Sequence, residues 1–274
     1  MLQRDRNPEW WRDIIGQISA ANADGVNILG QVLPRATGTV MGFEISQNPF
    51  VGRPSWDKIA SLPLADKVAI LRQPDFRAQI MSETCPDEKL ANRVSNFERI
   101  FPLGDPPNYE PEPDQSIAAL AARTGREPAD VAYDMLLEND GKTFLYRPIS
   151  NYTYFNLDTV GDMMQHPNTL VGLGDGGAHV GIICDASAIS YLLTHWTRDR
   201  TRGDTMSLPW AIKRLTHDNA STIGLNDRGL LEPGRKADIN VIDYDNLRLR
   251  APEVVYDLPA GGRRLIQTPD GYAA

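Results

Sequence analysis

The feature that most constrains this chain is a change of hydrophobic period near its N-terminus. Trp11, Ile14, Ile15 and Ile18 stand at i, i+3, i+4 and i+7, the apolar stripe of an amphipathic helix, and the stripe runs out at Asp24-Gly25. A short apolar run, Val26 to Val32, follows at once and reads as a buried strand that stops at Pro34. Helix, turn and strand, followed by loop and further helices, is the rhythm of an α/β protein with a parallel sheet.

The rhythm is interrupted and then resumes. Residues 47–115 are rich in Pro and Asn and hold short helical pieces, Leu64 to Arg72 and Asp75 to Met81, so the segment reads as an irregular insertion. Beyond it, Ser116 or Asp114 is placed to cap a helix over Ile117 to Arg123, and Pro128 to open one that ends at Asn139-Asp140-Gly141. Phe144 to Tyr146 reads as a strand, Leu157, Val160 and Met164 as a helical stripe, and Thr169 to Leu173 as another strand. Asp185 is expected to cap a helix carrying Ile189, Leu192, Leu193 and Trp196, and Ser207 one that runs to His217. From Leu230 the texture changes to a Pro-Gly turn, a strand over Ile239 to Ile242 and further short extended pieces, as in a small β module.

Charge and composition exclude several functions. Lys and Arg total 28 against 36 Asp and Glu, a net charge of -8 with no basic stripe, so nucleic acid is not an expected partner. No run approaches the about 20 apolar residues of a membrane span and the N-terminus has no signal-peptide core, which points to the cytoplasm. Cys85 and Cys184 form neither a disulfide framework nor a metal knuckle and are read as reduced thiols.

The sharpest local feature is Leu173-Gly174-Asp175-Gly176-Gly177-Ala178-His179 at the C-terminal end of a predicted strand. That end of a parallel strand carries the site in α/β sheets and barrels, because the loop after it presents a carboxylate or imidazole while the strand holds it rigid. The same segment also suits a tight turn in which Asp175 bonds its own backbone.

LVGLGDGGAHVG, followed by ICDASAISYLLTHW and RDRTRGD, resembles the last barrel strand of N-acyl-D-amino-acid deacylases (D-aminoacylases) of the amidohydrolase superfamily. RGLLEPGRKADINVID, from Arg228 to Asp243, resembles their passage from barrel to small β-sandwich, and GVNILGQVLPR with the helix before it resembles an earlier strand. The resemblance implies a partial TIM-like (β/α) barrel over residues 1–225, its last strands and helices with the insertion at about 47–115, followed by part of a β-sandwich over 226–274. It implies zinc as cofactor, a small N-acyl amino acid or related amide as substrate, and Asp175 both lining the metal site and acting as general base. Such a base takes a proton from the activated water and delivers it to the leaving nitrogen.

The other metal ligands implied by the superfamily, a His-x-His pair on the first strand and further His residues on the fifth and sixth, have no counterpart among His166, His179, His195 and His217. A full barrel takes about 250 residues, so the expectation is a partial chain whose open strand edges favour oligomerisation, aggregation or a partner. His179, beside Asp175, is a candidate for a substrate contact or a supporting hydrogen bond, or a loop residue satisfied by backbone. Arg35 is a candidate for the substrate carboxylate or the oxyanion, or a surface ion pair. It follows Leu33-Pro34 where the family has Tyr-Pro-Tyr. Tyr152, with Asn151, is a weaker substrate-binding candidate; His166, His195 and His217 read as structural, and Cys184 as a small buried residue. Two alternatives to deacylation stand: a non-catalytic binding or oligomerisation module, and a cyclic-amide hydrolase of the dihydropyrimidinase or dihydroorotase kind. The GDGGAHVG segment favours the deacylase branch.

Overall fold

A computed structural model describes residues 1–172 and 179–273. The N-terminal helix runs from Trp10 to Ala23 and turns its stripe inward, with Trp11 and Ile15 buried and Ile14 and Ile18 half-buried. It ends at Asp24, as the sequence predicts. The strand after it is shorter than expected: β1 is Gly30–Val32, and Val26 and Ile28 are exposed. Asn22 explains the loss, because its side chain accepts from the Ile28 N–H and donates to the Ile28 carbonyl, both at 2.8 Å, taking the groups a sheet partner would use.

Eight further strands follow: β2 Thr37–Met41, β3 Phe101–Pro102, β4 Leu145–Ser150, β5 Thr169–Val171, β6 Arg248–Leu249, β7 Glu253–Leu258, β8 Gly262–Ile266 and β9 Pro269–Asp270. β1 pairs in parallel with β5, β2-β4-β3 form an antiparallel sheet, and β6-β9 and β7-β8 are antiparallel pairs. Among the described residues the expected parallel rhythm therefore survives only in β1 and β5. The architecture is mixed α/β, and none of these sheets closes into a barrel.

β2 and β4 form the wall between two cores, because successive side chains of a strand point to opposite faces. Val40 and Tyr146 face one core, with Trp11, Val32, Val160, Met164, Val171, Leu192 and Trp196. Met41 and Leu145 face the other, built on Phe43, Phe50, Trp56, Leu71, Ile80, Tyr133 and Leu136. The segment read as an irregular insertion thus has its own aromatic centre. Its helices Pro54–Ile59, Leu64–Leu71, Pro74–Ser82 and Glu88–Val94 pack with Ile117–Thr124 and Pro128–Gly141. Ser116 caps its helix through the Ala119 N–H.

The C-terminal helices depart from simple α-geometry. Ala188–Tyr191 continues as a wide π-wound stretch, Leu192–Asp199, and Leu208–Lys213 continues as another, Arg214–Asp218. Beyond residue 226, the expected strand over Ile239 to Ile242 is reduced to one bridge, Ile242 to Tyr272, and Leu231, Ile239 and Val241 lie exposed. Among the described residues no helix is long and apolar enough to cross a membrane.

Candidate functional site

The parallel register Gly30↔Thr169, Gln31↔Leu170, Val32↔Val171 sets the C-terminal ends of β1 and β5 side by side, and the Gly172 N–H extends the pairing to the Val32 carbonyl at 2.9 Å. Leu33-Pro34-Arg35 leaves from one strand and segment 173–178 from the other. Asp175, the expected base, lies outside the described residues.

Arg35 is 2% exposed. Its guanidinium donates to Asp185 Oδ1 at 2.8 Å, to the Cys184 carbonyl and to Ser187 Oγ at 3.3 Å, and its centre lies 4.0 Å from the centroid of the Tyr109 ring. Burial opposes the charge, but Asp185 and the surrounding phenol oxygens outweigh it and raise the Arg35 pKa. Nε finds no partner among the described residues. The sequence offered a substrate contact or a surface pair; the structure places the group in a buried pair. Asp185, expected as a helix cap, gives its side chain to Arg35 and its backbone carbonyl to the Ala188 N–H.

Asn151 touches the same edge, donating to the Arg35 carbonyl at 3.4 Å and accepting from the Gln3 N–H at 2.8 Å. The buried Tyr152 hydroxyl donates to the Pro111 carbonyl at 2.6 Å, and burial pushes its pKa up. His179 is exposed, with φ 51, and its carbonyl accepts from the N–H groups of Ile182 and Ile183. Arg35 and Asn151 are therefore brought together, with Tyr152 next in the chain and engaged at Pro111.

A second polar centre went unread in the sequence. Glu110, whose side chain is 2% exposed, accepts from His195 Nε2 at 2.7 Å, from Arg200 Nε and Nη2 at 3.2 and 3.1 Å, and from the Leu157 N–H at 2.8 Å. Arg200, equally buried, also donates to Asp158 Oδ1 at 2.6 Å and lies over the Trp196 ring. Burial pushes the Glu110 carboxyl up, but the hydrogen bonds from His195, Arg200 and Leu157 outweigh it and hold the pKa at about 2. Glu110 lies in the Pro-rich part of the insertion, where nothing local marks a buried carboxylate; the alternating charges of Arg198-Asp199-Arg200 were the available hint.

Among known families, a model described as the amidohydrolase family matches residues 21–264. This chain belongs to the amidohydrolase family. No curated protein and no solved structure matches it. Membership supports a hydrolase of the superfamily, and amidohydrolases generally bind metals. Among the described residues, no group of three or more His, Cys, Asp or Glu side chains is placed to hold a metal ion. His195 is committed to Glu110, His217 Nδ1 meets Asp218 Oδ1 at 3.2 Å, and His166 Nδ1 accepts from the Asn168 N–H. The described residues of this amidohydrolase do not fit a metal.

Proposed function

We propose that this amidohydrolase chain carries the proton-shuttle side of a site that hydrolyses the amide of an N-acyl-D-amino acid, with Asp175 as general base. The observation that supports it is the parallel register of β1 and β5. In the sequence Asp175 follows Gly172, at the end of β5, by three residues, as Leu33–Arg35 follows β1. There its carboxylate takes a proton from water as the water oxygen bonds the acyl carbon, and passes that proton to nitrogen as the C–N bond breaks. We further propose that β1 and β5 are neighbouring strands of a partial TIM-like barrel over 1–225, with a β-sandwich portion over 226–274, in a cytoplasmic protein.

Arg35 positions the Cys184–Ser187 segment beside this edge, and a direct contact to substrate requires the Arg35–Asp185 pair to open. His179, on its exposed turn, is free of that requirement and is the nearer candidate for a substrate contact. One competing reading is a module that binds a carboxylate ligand without turnover.

The test is amine release from N-acetyl-D-amino acids by the purified chain, with and without added zinc. Release that falls at least about 100-fold in Asp175→Asn, with or without zinc, supports the reading. Activity retained in that variant removes Asp175 as base, and absence of release from the unaltered chain favours the binding module. Preferential opening of hydantoin or dihydrouracil rings assigns the chain to the cyclic-amide hydrolases.

A further inference from the structure

A cleft of about 740 Å³ lies away from the β1–β5 edge, between Pro106-Pro107, the π-wound helix carrying His195 and the segment Arg248–Glu253. One wall is built with care. His195 gives Nε2 to the ionised, buried Glu110 and stacks on Tyr191 at 4.5 Å with 13° between the rings, so the imidazole is fixed and Nδ1 is the nitrogen left for a ligand.

The charges on the cleft decide what it would accept. Arg248 in β6 and Arg250 just past its end both bond Asp270, and that single carboxylate leaves the pair with one net positive charge. Arg248 engages Asp270 through Nε, so its two terminal amino groups remain available for a bidentate carboxylate. The same cleft is bordered by Asp105 and Glu253, while its third acid, Asp199, is neutralised by Arg198. A simple anion meets Asp105 and Glu253; a simple cation meets Arg248 and Arg250. A small zwitterion satisfies both signs.

We propose that this cleft is a binding site for a free α-amino acid, its carboxylate held by Arg248 and Arg250 and its ammonium by His195 Nδ1 with Asp105 or Glu253. The proposal rests on the cleft alone and not on the role of Asp175. It adds a second small-molecule site to an amidohydrolase, selective for the free amino group that an acyl group would mask.

Calorimetric titration of the purified chain with leucine, leucinamide and N-acetyl-leucine tests it, with the His195 ring resonances followed by NMR to locate the ligand. Saturable binding of leucine that shifts the His195 signals is expected. Losing either charge from the ligand should weaken it at least about tenfold, as should Arg248→Gln combined with Arg250→Gln, since each removes a charge-assisted pair. Both arginines are well exposed, so the double variant is expected to fold. Equal binding of N-acetyl-leucine, absence of leucine binding, or leucine binding unchanged in the arginine double variant overturns the proposal. Asp175→Asn separates the two readings, because it abolishes hydrolysis at the first site while leucine still binds here.

Discussion

Replacing Glu110 by Gln keeps the shape of the side chain and removes its charge from among His195, Arg200 and the Leu157 N–H. The carboxyl is held at about 2 against an ordinary 4.5. At about 1.4 kcal/mol per pH unit, that difference corresponds to about 3 kcal/mol of stability at neutral pH. Breaking one side of a buried ion pair gives a similar figure, about 3–5 kcal/mol, because Arg200 stays buried while its remaining carboxylate partner, Asp158, is largely exposed. For a chain of this size, about 3 kcal/mol lowers Tm by roughly 6–12 °C.

The dependence on pH carries a definite sign. Glu110 has a lower pKa folded than unfolded, so its stabilisation is fully present above about 4.5 and is lost as pH falls from there towards about 2. Urea unfolding of wild type and Glu110→Gln, followed by tryptophan fluorescence, should show the about 3 kcal/mol gap at about pH 7 shrinking to half or less at about pH 3. His195→Gln, which removes a single partner of the carboxylate, should cost about 1–2 kcal/mol and provides the comparison if Glu110→Gln does not fold. A gap below about 0.5 kcal/mol at neutral pH, or one that does not change with pH, refutes the assignment of Glu110 as a buried, charged hub.

Arg35→Met leaves Asp185 buried without its cation and should cost about 3–5 kcal/mol in thermal or urea unfolding; a loss under about 1 kcal/mol would instead mark a guanidinium free to serve a ligand. Gly38→Ala would set a Cβ 2.4 Å from a ring carbon of Tyr146, whose hydroxyl is tied to the Ala36 carbonyl, so β2 and β4 must shift at about 1–3 kcal/mol, readable as a lower Tm. Burial pushes the Cys184 thiol up to about 11, whereas Cys85 is half-exposed; a thiol reagent at mildly alkaline pH should label Cys85 in the native protein and both thiols after unfolding, and rapid native labelling of Cys184 would contradict its burial.

What the sequence revealed depended on how local the signal was. The first helix, its end at Asp24, the Ser116 cap and the Pro128 start are written in neighbouring residues, and the structure places them as read. β2 was missed because Gly38 interrupts its apolar pattern, and that gap is what admits the Tyr146 ring. β4 was read only to Tyr146 because Pro148 looks like a strand breaker; in the sheet it sits beside a register shift at Thr37/Gly38, beyond the reach of β3, where a missing N–H costs little. The second core was illegible for a different reason. Its helices are short and Pro-rich, and only long-range packing across the Met41 and Leu145 face shows that Phe43, Phe50, Trp56 and Tyr133 meet. For the site, the sequence put Arg35 after one strand and Asp175 after another without showing that β1 and β5 are neighbours, and Glu110 and His195, 85 positions apart, carry no local mark of their pairing.

One helical stretch ties the two proposed sites together, and its winding explains how. His195 and Trp196 are adjacent, yet their rings stand 89° apart, so one turns to Glu110 and the cleft while the other donates from Nε1 to the Pro34 carbonyl at the exit of β1. Just before this helix, Asp185 holds Arg35. The exit of β1 is thus clamped by the element that also orients the cleft histidine, and Glu110 ties that element to the second core through the chain leading to Ile117. Coupling between two sites requires an element with two arrangements that each ligand biases differently. Here the shared helix is fixed at Pro34, Glu110 and Arg35 by buried hydrogen bonds whose loss costs several kcal/mol, more than the about 1–3 kcal/mol typical of coupling energies. The expected consequence is two sites held in constant register, each occupied independently of the other.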